Sequence, residues 1–295
     1  MTEKPKNRFL LIIVIIFSLN VIGLVNPMYS QSLVRDSTFH PYHVNYWVTG
    51  GIFIVGVPAT AIAAPWVSNK SALTNADFQT LDRNDINPID RWALKLDPSN
   101  RGYYANLSDN VLTGIILLPG LTLLDHNIRQ DWLDVALMYA ETQLIVNCIY
   151  LYSPLGPTFQ NRLRPIVYFD TFGNSHARTT AWNRSSFYSG HAASAAAASF
   201  FAVKVYCDYH PELIGWNKYL LYGAAAVPPL IVGYLRMKAL DHFPSDILVG
   251  LGVGAVCGIL IPELHRIKIE NVSMELYSSY EGTGISLKWQ PDFVK

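Results

Sequence analysis

An all-α bundle of about six core helices, embedded in a membrane or associated with one, is the architecture this sequence predicts. Three observations predict it. Hydrophobic residues make up 51% of the 295 positions and charged residues only 15%, against roughly 25% charged in soluble domains. The apolar residues are gathered into long runs of Ala, Leu and Gly, most of them too long for strands. Polar connections rich in Asp, Asn, Ser and Pro separate those runs. A mean hydropathy of +0.20 suits several apolar helices with sizeable polar loops better than a fully embedded transporter. Formal net charge is zero, so bulk charge offers no basic surface and no nucleic-acid partner is expected.

The elements follow in chain order. Lys4, Lys6 and Arg8 precede an apolar run from Phe9 to about Val25, which Asn26, Pro27 and Ser30 end. Residues 1–31 therefore read as a secretory signal or, if uncleaved, as an N-terminal anchor. The polar segment 31–45 looks like a mature N-terminus and favours the signal. Six apolar stretches come next, at about 46–67, 110–124, 133–153, 190–207, 218–235 and 247–261. The first is uncharged and can span a bilayer. The second is short and contains Pro119. The third carries Asp134 and Glu141, which must face protein or water if the helix lies in lipid. The fourth holds the small-residue run from Ala192 to Ala198, a surface that lets neighbouring helices approach closely. Residues 32–264 thus read as one helical domain. The tail, 265–295, alternates at Ile285-Ser286-Leu287-Lys288-Trp289, the pattern of a short strand or hairpin. Cys148, Cys207 and Cys257 lie in or beside apolar stretches, without disulfide or zinc spacing, and read as small buried hydrophobes.

Three clusters at helix junctions carry the chemistry. Arg162 and Arg164 flank Leu163, with Pro165 following. Ser189-Gly190-His191 stands at the start of the Ala-rich helix, where backbone N–H groups, a hydroxyl and an imidazole can converge on one anion. Arg236, His242 and Asp246 precede the last apolar helix, and Pro244 suits that helix's first turn. Four positions separate His242 from Asp246, so the carboxylate can reach one imidazole nitrogen and orient the other for attack. Arg236 can set a guanidinium fork on phosphate-type oxygens. Guanidiniums, histidines and an aspartate beside apolar helices are costly at membrane depth unless they serve a site.

These residues resemble the type 2 phosphatidic acid phosphatase superfamily, which also includes bacterial acid phosphatases and vanadium-dependent haloperoxidases. Its motifs run Lys-x6-Arg-Pro, Pro-Ser-Gly-His and Arg-x5-His-x3-Asp. They fall here on Arg164-Pro165, on Ser189-Gly190-His191, and on Arg236, His242 and Asp246. Two positions depart: the motif lysine falls at Pro157, and the motif proline at Tyr188. Arg184, Arg162 and Lys238 are candidate substitutes for the lysine's charge, with Arg184 preferred for its place on the loop into the second motif.

The resemblance implies a helical bundle of that kind and a phosphatase acting on a phosphate monoester or pyrophosphate, most often of a lipid. His242 is then the nucleophile forming a phosphohistidine, Asp246 orients it, and His191 is the general acid and then base. Arg164, Ser189, Gly190 and Arg236 hold the phosphoryl oxygens. No metal or other cofactor is implied, because the arginines supply the positive charge. A non-catalytic lipid-phosphate binder, motivated by Pro157, and a vanadium-dependent haloperoxidase are the alternatives. Family members mostly place this site at the outer face of the inner membrane, so a periplasmic site is expected. Helix counting yields that face only if one stretch fails to cross, and 110–124 is the shortest.

Overall fold

The computed structural model describes residues 40–266 and the backbone of 272–279 and 282–289; the leader, residues 1–31, lies outside the described residues. Seven longer helices build the helical part: α1 (Tyr46–Ser68), α2 (Arg101–Ile116), α3 (Trp132–Tyr152), α4 (Gly190–Tyr209), α5 (Trp216–Ala225), α6 (Val227–Lys238) and α7 (Pro244–Arg266). The strands β1 (Val272–Ser279) and β2 (Gly282–Trp289) pair antiparallel, with Leu276 opposite Ile285, and the alternating segment 285–289 lies in β2.

Two apolar stretches differ from their sequence-based outlines. The stretch expected at 110–124 begins at Arg101 and continues beyond Ile116 as a 3-10 turn, Leu118–Leu124, with Pro119 in its first positions. Its first half escapes a hydropathy reading because Asn106, Ser108, Asp109 and Asn110 interrupt the apolar pattern. The stretch 218–235 divides into α5 and α6 at Ala226, where Pro228 and Pro229 enter the first turn of α6, the one part of a helix that does without their N–H groups.

Helix α4 is the centre. The alanines from Ala192 to Ala198 are all buried, and α7 lies against them through a glycine stripe. A Cβ on Gly254 would stand 2.0 Å from the Ala193 carbonyl oxygen, and one on Gly258 2.6 Å from that of Ala197. Small residues on both helices let the backbones meet, the mode of packing expected where lipid gives no hydrophobic drive between helices.

Direction is set by cross-helix bonds. Tyr46 donates to Asp134 at 2.6 Å, Thr49 to Glu141 at 2.8 Å and Tyr152 to the Ala59 carbonyl at 2.7 Å, so α1 and α3 run parallel. The His43 N–H donates to the His265 carbonyl at 2.8 Å, which puts the end of α7 beside residues 40–45. The starts of α2, α4 and α7 and the ends of α3 and α6 gather at the opposite end.

Among the described residues, five helical segments are long and apolar enough to cross a membrane: Tyr46–Ser68, Arg101–Leu124, Trp132–Tyr152, Trp216–Lys238 and Pro244–Arg266. Their outer faces carry apolar side chains that stand exposed among the described residues; Ile54 and Val55 on α1 are 76% and 70% exposed. Trp47, Trp66, Trp132 and Trp216, all exposed, stand near helix ends, as in the aromatic belts at membrane surfaces. This is a membrane protein.

Candidate active site

The three motifs meet at the end of the bundle away from residues 40–45. Helix α6 ends there in a Schellman turn: the Asp241 N–H donates to the Arg236 carbonyl at 3.1 Å and the Leu240 N–H to that of Met237 at 2.9 Å. Leu240 takes the left-handed position of this turn, φ 56°, which glycine usually fills because other residues are strained there. Its side chain is fully buried against Leu73, Ile166, Val167 and Phe169, and that packing holds the turn. The turn delivers Asp241 and His242 into the site.

His242 is almost wholly buried. Its Nδ1 stands 2.7 Å from the carbonyl oxygen of Ser186. A carbonyl only accepts, so Nδ1 carries the proton and donates, and Nε2 keeps its lone pair. Asp246 does not supply that bond, because its carboxylate lies 3.8 Å from Nδ1, beyond hydrogen-bond distance. Asp246 instead accepts from the Ser186 hydroxyl at 2.6 Å, from the Phe243 N–H at 2.8 Å and from Arg162. The orientation across one helical turn expected from sequence is therefore relayed: Asp246 fixes Ser186, and Ser186 fixes the imidazole. Burial, reinforced by the charges of Arg164 and Arg236 and opposed by Asp246, holds His242 below the usual histidine range, so the neutral, nucleophilic ring is favoured.

Arg164 and Arg236 are tied to one carboxylate. Arg164 Nη1 donates to Asp241 Oδ1 at 3.1 Å, and Arg236 Nη2 is 2.8 Å from Asp241 Oδ2. Burial opposes the charge on Asp241, yet Arg164, Arg236 and Arg101 outweigh it and hold its carboxyl down to about 2. Ser189 caps α4, its Oγ accepting from the Ala192 N–H at 3.4 Å, while its own N–H donates to the Asp246 carbonyl at 3.0 Å. Gly190 lies under the Tyr150 ring, where a Cβ would come within 3.2 Å. His191, one residue on, meets Asp109 on α2 through Nε2 at 2.9 Å. Asp109 also accepts from Arg236 at 3.3 Å, and the Arg236 charge reaches His191.

The candidate substitutes for the missing lysine fare differently. Arg162 stands on Asp246 and Asp90, between the rings of Phe187 and Phe243, and so braces the carboxylate behind His242. Arg184 donates to Asp77 at 2.8 Å and to the Ser71 carbonyl at 3.0 Å. Lys238 lies over the Tyr104 ring. Tyr188, at the position of the motif proline, is buried edge-on against Tyr150 and serves the core. Sequence reasoning missed Arg101, Asp109, Ser186 and Asp241. Only Asp241, adjacent to His242, had a signal that could have found it.

Beside this cluster a cavity of about 270 Å³ opens between α2, α3 and α4, walled by Leu112, Val146, Asn147 and Tyr150 and ending on Gly190 and His191.

No curated protein matches the sequence. Among solved structures, the transmembrane PAP2-type phosphatidylglycerolphosphate phosphatase of Bacillus subtilis is similar over 73% of this chain and 94% of its own, at 20% identity and a TM-score of 0.40. A family model described as PAP2 superfamily matches residues 131–270. All three motifs lie in order within that match, and over residues 131–270, just under half of the chain, the protein is similar to the PAP2 superfamily.

Proposed function

We propose that the chain hydrolyses the phosphate ester of a lipid through a phosphohistidine on His242. The observation that carries the reading is the hydrogen bond from His242 Nδ1 to the Ser186 carbonyl at 2.7 Å, in a ring surrounded by the Arg164 and Arg236 charges. It leaves Nε2 as a nucleophile beside groups suited to phosphoryl oxygens. Attack forms the N–P bond as the ester P–O bond breaks, with the departing oxygen taking a proton from His191. His191 then takes a proton from water, which attacks phosphorus and releases His242.

The apolar cavity ends on His191, the side from which the leaving group departs, and this supports a leaving group with a hydrocarbon body. The test is phosphate release by the purified full-length protein in mixed micelles. A long-chain lipid phosphate should be hydrolysed with kcat/KM about 10²-fold above p-nitrophenyl phosphate, the remote apolar contacts aiding the transition state. Equal values would overturn the lipid assignment. Binding of vanadate without turnover on any substrate would leave a non-catalytic phosphate binder.

The side of the membrane is a second proposal. Segments α1, Arg101–Leu124 and α3 each have the length and composition to cross, so three crossings separate residues 40–45 from the site. A periplasmic site, the reading we propose, then requires residues 40–45 on the cytoplasmic side, and an exported residue 32 is incompatible with it. One observation favours the opposite face. The site-end connection 69–100 carries Lys70, Arg83, Arg91 and Lys95, whereas 117–131, at the other end, carries only Arg129, and positive charge concentrates in the cytoplasm. Cysteines introduced in the exposed loop around Trp182 should react with a membrane-impermeant maleimide in intact cells. Reaction with permeant reagents alone would put the site in the cytoplasm.

A further inference from the structure

Arg101, the first residue of α2, lies outside the matched family region and outside all three motifs. Its Nη2 donates to Asp241 Oδ1 at 3.0 Å, the same oxygen that Arg164 contacts at 3.1 Å, while Arg236 holds Oδ2 at 2.8 Å. Three guanidiniums therefore converge on one buried carboxylate. The Nε atoms of Arg101, Arg164 and Arg236 are all buried without a hydrogen-bond partner among the described residues.

Charge decides what this means. Arg164 and Arg236 already over-neutralise Asp241, and a third cation on the same carboxylate adds repulsion. Buried charges and buried donors persist where something meets them. Three positive charges against Asp241, with the exposed Asp109 balancing part of the Arg236 charge, leave an excess of about one to two, and a phosphate monoester carries about −1.5 to −2 near neutral pH. Asp109 touches only the outer side, at His191 and Arg236, and is more than half exposed. The candidate substitutes Arg162, Arg184 and Lys238 have other partners. Among the described residues, Arg101 is the further cation on the carboxylate that holds Arg164 and Arg236.

We propose that Arg101 is the third phosphate-binding cation of this site, supplying from α2 the charge that the lysine absent at Pro157 would have supplied. This rests on the phosphatase reading above. A guanidinium brought in from a separate helix can contact the phosphoryl oxygens through edges that Asp241 leaves free.

The test uses the full-length protein in micelles and reads both phosphate release and inhibition by orthovanadate. Arg101→Met keeps the apolar stem and removes the charge; Arg101→Lys restores a charge. Arg129→Met, at the far end of the bundle, is the comparison and should match the parent. Arg101→Met should lose about 10²-fold in kcat/KM, the scale of one lost transition-state donor, and weaken vanadate inhibition at least about 30-fold, the equivalent of roughly 2 kcal/mol. Arg101→Lys should stay within about tenfold of the parent on both measures. Vanadate inhibition of Arg101→Met within threefold of the parent overturns the proposal. If Arg101→Met does not fold, Arg101→Lys decides: inhibition near the parent's supports the role, and a loss as large as about 30-fold in a folded protein overturns it. A parent protein that neither releases phosphate nor binds vanadate overturns the phosphatase reading, and this role with it.

Discussion

His242→Ala is expected to abolish phosphate release, a fall in kcat of at least about 10⁴-fold, the scale seen when a covalent nucleophile is removed from a site that otherwise keeps its binding groups. The expectation follows from what the ring is fitted to do. A carbonyl holds Nδ1 as the donor, burial and two guanidiniums favour the neutral form, and His191, tied through Nε2 to Asp109, serves as the acid and base instead. Structural damage should be modest by comparison: Arg164, Arg236 and Arg101 keep Asp241, and Asp246 keeps its three donors. A thermal midpoint measured beside the rate separates the two effects. A folded variant with activity within tenfold of the parent would remove His242 from the mechanism.

The features legible in the sequence are those that single segments encode. Ser189-Gly190-His191 and the Arg236, His242, Asp246 spacing are local to two helix starts, so residue type and interval were enough. The helical class was equally plain from the long apolar runs. The features that escaped depend on tertiary placement. Arg101 meets Asp241 across 140 positions and Asp109 meets His191 across 82, and neither stands in a pattern of its own. Helix α2 begins among polar residues, because its first turns face the site and its last turns face apolar surroundings; hydropathy reported only the latter. The group that fixes the His242 tautomer is a backbone carbonyl at Ser186, and a carbonyl has no signature in the one-letter sequence. Arg184 is preferred as the lysine's substitute from its nearness in the chain to the second motif, but in the fold its guanidinium is held by Asp77 and the Ser71 carbonyl.

Asp246→Asn separates two accounts of how His242 is oriented. Were the carboxylate bonded directly to the imidazole, the amide would impose the wrong tautomer, and losses near 10⁴-fold are known for such a change. Here the Ser186 carbonyl keeps Nδ1 protonated whatever stands at 246. The variant then loses only the negative charge 3.8 Å from the ring, which stabilises the cation that develops as the N–P bond forms. A fall in kcat of about 10²- to 10³-fold is expected, comparable with one preorganised electrostatic group. Stability should fall as well. Both Asp246 oxygens accept from donors only, Arg162 at one and Ser186 with the Phe243 N–H at the other, so the amide NH₂ must face a donor on either side. Breaking a buried ion pair costs about 3–5 kcal/mol. Arg162 retains Asp90 and is partly exposed, which puts the expected loss toward the lower end of that range. Turnover is therefore to be compared well below the variant's melting temperature. A loss of 10⁴-fold or more in folded protein would show that Asp246 sets the tautomer itself, and a loss under tenfold would show that its charge is not used. Between those limits, Ser186 links the third motif to the loop before the second, and the nucleophile is oriented by backbone that neither motif names.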